Sequence, residues 1–291
     1  MTNQQLIQKF ELYLSIQQNK ANHTVTNYIR DINQFFDLLN NLSINNITDH
    51  HIFDYLDQLK QLKQANQTIY RKMVSLNQFW IYLMQKNYVS FNPWASIKRP
   101  KNNYQLPVFI EEHIMLELLN NYPSLTAEDV RNKAILELLF ASGIRVSELT
   151  QLKLDDLNLQ QNECRVLGKG NKFRIALFGA RATNAIQFYC EHVRHEWGDS
   201  KNSFLFISKR GGPLTVRTVQ RILKQANNYH SAPIEITPHS CRHTCASLLI
   251  SNGAGIRDVQ EFLGHSSITT TERYTHIPTK TLTKRFLDAM N

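Results

Sequence analysis

The sequence predicts a mainly α-helical protein in two parts, with a small β-sheet or hairpin confined to the C-terminal part. Three observations predict it. Apolar residues recur at helical spacing in four runs before residue 88; a stretch with no apolar period and only positive charge follows; beyond it, two short β-prone runs flank Gly168, Lys169 and Gly170. At 291 residues, 42% hydrophobic and 20% charged, the chain is long enough for one large or two ordinary domains, each burying its own core. The divisions fall at 1–88 for a helical bundle, 89–108 for a basic linker and 109–291 for the larger C-terminal part.

In the first part, Ile7, Phe10 and Leu14 form one apolar run, and Tyr28, Ile32, Phe35, Phe36 and Leu39 a second. Ile52, Tyr55, Leu56, Leu59 and Leu62 form the third, and Ile69, Met73, Leu76, Phe79 and Leu83 the fourth. Each is the stripe of an amphipathic helix. Thr48 and Asn66 stand where N-caps are expected, and the Asn-rich pieces between the runs read as loops. The bundle ends near Tyr88.

From Asn92-Pro93 to Pro107 the only charges are Lys98, Arg99 and Lys101. A basic connector of this kind is suited to crossing a phosphate backbone, although a solvated linker has the same composition. The net charge of +9 points the same way, to a polyanionic partner. The first residues, Met1 to Lys9, are polar and resemble no secretion signal, and no apolar run is long enough to span a membrane. A cytoplasmic protein without membrane contact is expected. Cys164, Cys190, Cys241 and Cys245 form no disulfide pattern and no C-x-x-C pair, so reduced thiols are expected.

In the second part, Thr126 with Asp129 reads as a capping box, Ile135, Leu136, Leu139 and Phe140 as an apolar face, and Gly143 as a helix stop. Arg145 then starts a new helical turn. Cys164–Leu167 and Phe173–Leu177 read as a hairpin with Lys169 in its turn. Thr237 is an N-cap with Pro238 at the first helical position, and Ile256–Leu263 is a helix stopped by Gly264. Leu282, Phe286, Ala289 and Met290 mark an amphipathic tail.

His239 and Arg242 are three apart in the first turns of the Pro238 helix, where backbone N–H groups and the helix dipole favour an anion. With Arg145, Glu148, Lys169, His265 and Tyr274 they make a set suited to phosphoryl transfer: cations and imidazoles stabilise the charge, and a phenol can attack and be displaced again. Taken singly, each has a bland reading, as a capping histidine, a solvated lysine or a core tyrosine. His239, Cys241, His243 and Cys245 alternate like metal ligands, but the two i, i+4 pairs point roughly 200° apart on a helix and cannot close one tetrahedral site. No metal and no cofactor is called for.

These segments resemble the tyrosine recombinase (phage integrase) family, and the whole length resembles its bacterial Xer branch. Gly143-Ile144-Arg145-Val146-Ser147-Glu148-Leu149, Lys169 in its hairpin turn, His239-Ser240-Cys241-Arg242-His243, Leu263-Gly264-His265 and Tyr274-Thr275-His276 follow the family's order and spacing. Cys241 stands where the family often has leucine, which concerns packing more than chemistry.

The resemblance implies a two-domain DNA clamp: a helical, SAM-like core-binding domain and a catalytic domain whose C-terminal helix docks on a neighbouring protomer. It implies a strand transferase related in chemistry to type IB topoisomerases. Tyr274 is the nucleophile forming a 3′-phosphotyrosyl link, and no ATP is consumed. Arg145 and Arg242 neutralise the phosphate, His265 donates to it, Lys169 protonates the leaving 5′-oxygen, and His239 assists proton transfer. Glu148 orients its partners, and His243 and His276 are supporting or structural. Arg71, Lys72, Lys98, Arg99, Lys101, Lys172 and Arg174 are candidate DNA contacts.

The implied partners are a specific double-stranded DNA site, three further subunits in a homo- or hetero-tetramer with a paralogous recombinase, and a septal DNA translocase. The implied task is chromosome or plasmid dimer resolution through a Holliday junction. Integration of a mobile element or phage uses the same chemistry. A DNA-binding regulator without activity and a metal-dependent nuclease are the readings from other classes.

Overall fold

A computed structural model describes residues 1–20, 22–97, 110–168, 173–197 and 202–264. It is mostly helical and divides into two compact units, Met1–Tyr104 and Gln105–Asn291.

The first unit contains α1 (Asn3–Leu12), α2 (Asn22–Leu38), α3 (Asp49–Gln61) and α4 (Asn66–Gln85), with α1 running on into a wider turn at Tyr13–Gln17. Thr2 caps α1: its hydroxyl accepts from the Gln5 N–H, and the Gln5 side chain accepts from the Thr2 N–H at 3.0 Å. Phe10, Phe35, Phe36, Phe79 and Trp80 interdigitate in the core, with ring centroids 5.2 to 6.3 Å apart where they touch. Among the described residues, five of the six non-glycine residues with positive φ are asparagines (Asn19, Asn40, Asn41, Asn87, Asn162), the residue type that tolerates this region best. That is why the Asn-rich pieces break the helices.

Three expectations need correction. Asn66 is the first helical residue, not the cap; Ala65 occupies the cap position and offers no side-chain acceptor. Leu62 lies just past α3 and is 65% exposed, because the helix ends before its stripe would bury it. Trp94 is 4% exposed within the aromatic core, with Val89 and Ile97 packed beside it, so residues 89–97 belong to the bundle. A lone tryptophan after a turn carries no periodicity.

The second unit is built on α6 (Ala127–Ser142), which is buried along nearly its whole length. Around it lie α5 (Glu112–Asn121), α7 (Val146–Gln151), α8 (Ala180–Tyr189), α9 (His195–Trp197), α10 (Val216–Ala226), α11 (Pro238–Ser251) and α12 (Ile256–Leu263). The sheet is antiparallel in the order β1 (Leu157–Asn158), β2 (Glu163–Leu167), β3 (Phe173–Leu177), with Leu167 opposite Phe173 next to the turn. The sequence places Lys169 in that turn; it lies outside the described residues.

Candidate active site

Four chain segments converge at one point of the second unit: the C-terminus of α6, the N-terminus of α7, the second turn of α11 and the C-terminus of α12. Each end is built locally. Thr126 and Asp129 exchange hydrogen bonds at the start of α6 at 3.0 and 3.1 Å, and Gly143 ends it at φ +58°. Thr237 and Ser240 cap α11 reciprocally, with Pro238 in its first turn, and Gly264 ends α12 at φ +67°.

Close approach adds to the demand at Gly143. A Cβ there would lie 2.8 Å from Leu263 Cδ2 and 3.2 Å from Cys245 Sγ. Only a residue without a side chain lets α6, α11 and α12 meet.

Arg145 sits at the N-cap of α7, one residue earlier than a helix start. Its backbone N–H donates to Glu148 Oε2 at 2.8 Å and its Nη1 to Glu148 Oε1 at 2.8 Å, while Nη2 donates to the Gly264 carbonyl at 2.9 Å. Glu148, third in the helix, thereby satisfies an orphan backbone donor and holds a guanidinium at the positive end of the dipole. The Glu148 side chain is 3% exposed, that of Arg145 35%. Two of the five guanidinium N–H groups of Arg145 are used in these bonds among the described residues.

Arg242 is deeper. Nη1 donates to the Gly143 carbonyl at 2.6 Å and Nη2 to the Leu263 carbonyl. Both carbonyls end helices, where unsatisfied oxygens carry negative partial charge. Burial, then the neighbouring Arg145 charge, push the Arg242 pKa down to about 10, against the pull of Glu148; Arg174 lowers it further. At neutral pH it remains a cation. His239 is exposed on the same helix; His243 is exposed as well, and partial desolvation, His239 and Arg242 lower its pKa. Cys241 and Cys245 are buried, and desolvation pushes both thiols up to about 12, so neither is poised as a nucleophile. Among the described residues no three His, Cys, Asp or Glu side chains are arranged to hold a metal ion.

Arg174, a candidate contact to the DNA backbone, lies in this cluster. Its side chain is 15% exposed and donates from Nη2 to Glu148 Oε2 at 2.9 Å. The pair expected on the surface of α4 is also engaged inside its own unit. Lys72 is 5% exposed, donates to Gln34 Oε1 at 2.9 Å, and desolvation lowers its pKa. Arg71 pairs with fully buried Asp31, which also accepts from Ser75 Oγ at 2.9 Å. A basic pair at adjacent helix positions does not reveal that a buried carboxylate on α2 claims one of them.

Lys169, His265 and Tyr274 lie outside the described residues, as do Lys98, Arg99, Lys101, Lys172, His276 and the apolar tail from Leu282 to Met290. What the sequence did not announce is the backbone: the carbonyls of Gly143, Leu263 and Gly264 orient both arginines.

Comparison with known proteins gives a consistent set of likenesses. The profile described as Phage integrase family matches residues 109–280, and the profile described as Phage integrase, N-terminal SAM-like domain, matches residues 7–87. The Tyrosine recombinase XerC of Halalkalibacterium halodurans is 37% identical over 283 residues, covering 94% of this chain and 93% of the relative. The crystal structure of XerA recombinase is 26% identical and covers 97% of both chains with a TM-score of 0.51. A lambda integrase tetramer bound to a Holliday junction, 17% identical, matches with a TM-score of 0.73 over 94% of this chain and 80% of the other.

Proposed function

This chain belongs to the phage integrase family, the tyrosine recombinases, and from that premise we propose that it exchanges strands between two specific DNA duplexes with Tyr274 as nucleophile. The observation that carries the reading is the pair of guanidiniums at the meeting point of α6, α7, α11 and α12. Among the described residues Arg145 and Arg242 are held by one carboxylate and three helix-end carbonyls, which take two guanidinium N–H groups from each.

The chemistry follows from that charge. The Tyr274 oxygen attacks the scissile phosphorus, a phenol–phosphorus bond forms, and the bond to the 5′-oxygen breaks. Lys169 supplies the proton to the departing oxygen, while His265 and the two arginines stabilise the non-bridging oxygens, whose charge rises in the transition state. The free 5′-hydroxyl of the other duplex then attacks the phosphotyrosyl bond and displaces the phenol, so one ester replaces another and no ATP is needed. His239 assists the proton movement at Tyr274, and Glu148 orients Arg145.

The likeness to a tetramer on a Holliday junction supports four subunits exchanging one strand pair at a time. The XerC relative supports dimer resolution of chromosomes or plasmids, with a paralogous subunit and a septal translocase as partners and the cytoplasm as the setting. Among the described residues no helix is long and apolar enough to cross a membrane.

A nicked suicide substrate tests the reaction. The native chain should accumulate a covalent protein–DNA adduct that persists in excess chelator, and Tyr274→Phe should bind the same DNA without forming it. An adduct in the Tyr274→Phe variant would remove the assignment. Binding without any adduct in the native chain would leave a DNA-binding regulator as the better reading.

A further inference from the structure

Arg174 lies on β3, 26 residues from the carboxylate it contacts. Nη2 donates to Glu148 Oε2, the same oxygen that accepts the Arg145 backbone N–H. Nε and Nη1 are buried and have no hydrogen-bond partner among the described residues. Gly264 packs against this guanidinium: a Cβ at 264 would lie 2.8 Å from Arg174 Nε and 3.0 Å from Cδ. A side chain at the end of α12 would require the Arg174 guanidinium to shift.

The charge count is uneven. Among the described residues, Arg145 and Arg174 share one carboxylate, Glu148, and Arg242 beside them is held by carbonyls alone; the side chains of Arg145, Arg174 and Glu148 are 35%, 15% and 3% exposed. Burying unbalanced cations is unfavourable unless an anion joins them, so the cluster is prepared for a group of opposite charge. Glu148 alone, with both oxygens on the Arg145 guanidinium in the two-point geometry such pairs favour, would instead neutralise Arg145 and occupy the N–H groups a phosphate needs. Arg174, together with the Arg145 backbone N–H, holds Oε2 away from that closure.

We propose that Arg174 is a positioning residue for strand cleavage: it divides Glu148 between two arginines, and so leaves N–H groups of Arg145 open toward the scissile phosphate. The proposal rests on the recombinase reading above. It differs from a phosphate contact on the DNA backbone, because it acts through Glu148.

Single-turnover cleavage of the nicked substrate, with the full-length chain, tests it. R174Q should slow adduct formation by roughly tenfold or more, in the manner of lost electrostatic preorganisation, with DNA affinity little changed. In an E148Q background the same substitution should have almost no further effect, since there is no carboxylate left to close on Arg145. R174K, which keeps a cation within reach of Glu148, should recover most of the rate; if R174Q unfolds, as its melting curve would reveal, R174K with and without E148Q carries the comparison. The proposal is overturned if the loss is equal with and without Glu148, or if a folded R174Q cleaves as fast as the native chain. A native chain that forms no adduct at all would instead overturn the recombinase reading.

Discussion

A guanidinium buried as deeply as that of Arg242, with 8% of the residue exposed, has to find acceptors, and it finds them on two helix ends rather than on an acid. Lysine offers one nitrogen where arginine offers a planar fork, so it cannot hold the Gly143 and Leu263 carbonyls together and still face a phosphate. Arg242→Lys should therefore slow single-turnover cleavage by about 10²–10³. It should also lower stability by about 1–3 kcal/mol through an orphaned carbonyl, read by denaturant unfolding. A variant that loses stability but keeps its cleavage rate would separate Arg242 from the chemistry. At this scale the sequence is legible where a motif fixes both neighbours: Arg145 and Glu148 are three apart on one helix turn, and they do pair. It is less legible at Arg174. Alternation along β3 puts Arg174 on the side of Ala176, which is fully buried, yet nothing local indicates that a carboxylate from α7 waits there.

Helix ends, more than helix faces, assemble this site, and that makes Gly143 the element-scale test. An alanine there meets two separate costs. The left-handed φ of +58° disfavours any L side chain by about 1–2 kcal/mol, and the new methyl would sit 2.8 Å from Leu263 and press α12 away. Gly253 isolates the first cost, since it has φ +88° and nothing within 4 Å of an added Cβ. Gly143→Ala should thus lower the melting temperature clearly more than Gly253→Ala, and should alone slow cleavage, because α12 supplies the Leu263 and Gly264 carbonyls. Equal losses in the two variants would mean that α6 and α12 have room to part. The stops themselves were readable: Gly143, Gly264, Thr126 and Thr237 all act as their residue types suggest. What misled was Asn66, a residue that caps well but here simply begins the helix, and Trp94, which belongs to a core that no period connects it to. Helix α10 repeats Val219, Ile222, Leu223 and Ala226 at i, i+3, i+4 and i+7, so its stripe is present in the sequence, and Thr215 caps it by accepting from the Thr218 N–H at 3.1 Å.

For the whole molecule the governing quantity is charge, +9 over 291 residues, and its distribution matters more than its sum. The two compact units carry their own cores, and the stretch between residues 89 and 110 holds cations with no acid among them. Lys72 donates to Gln34 within the bundle, and Arg71 pairs there with Asp31 while its side chain stays 36% exposed. Lys98, Arg99 and Lys101 are the candidate DNA contacts between residues 89 and 110. Each cation that neutralises a backbone phosphate releases condensed counterions, and contributes about 0.9 to the slope of log affinity against log salt on duplex DNA. Replacing all three by glutamine should therefore flatten that slope by roughly 3, and should weaken specific and nonspecific duplexes alike, since phosphate contacts position a protein without reading bases. Fluorescence anisotropy across a salt series checks both at once. A slope that stays the same would show these side chains to be solvated spacers, whereas a loss confined to the specific duplex would place them at base edges instead of phosphates. The cleavage rate at saturating protein should be preserved, which separates gripping the DNA from cutting it.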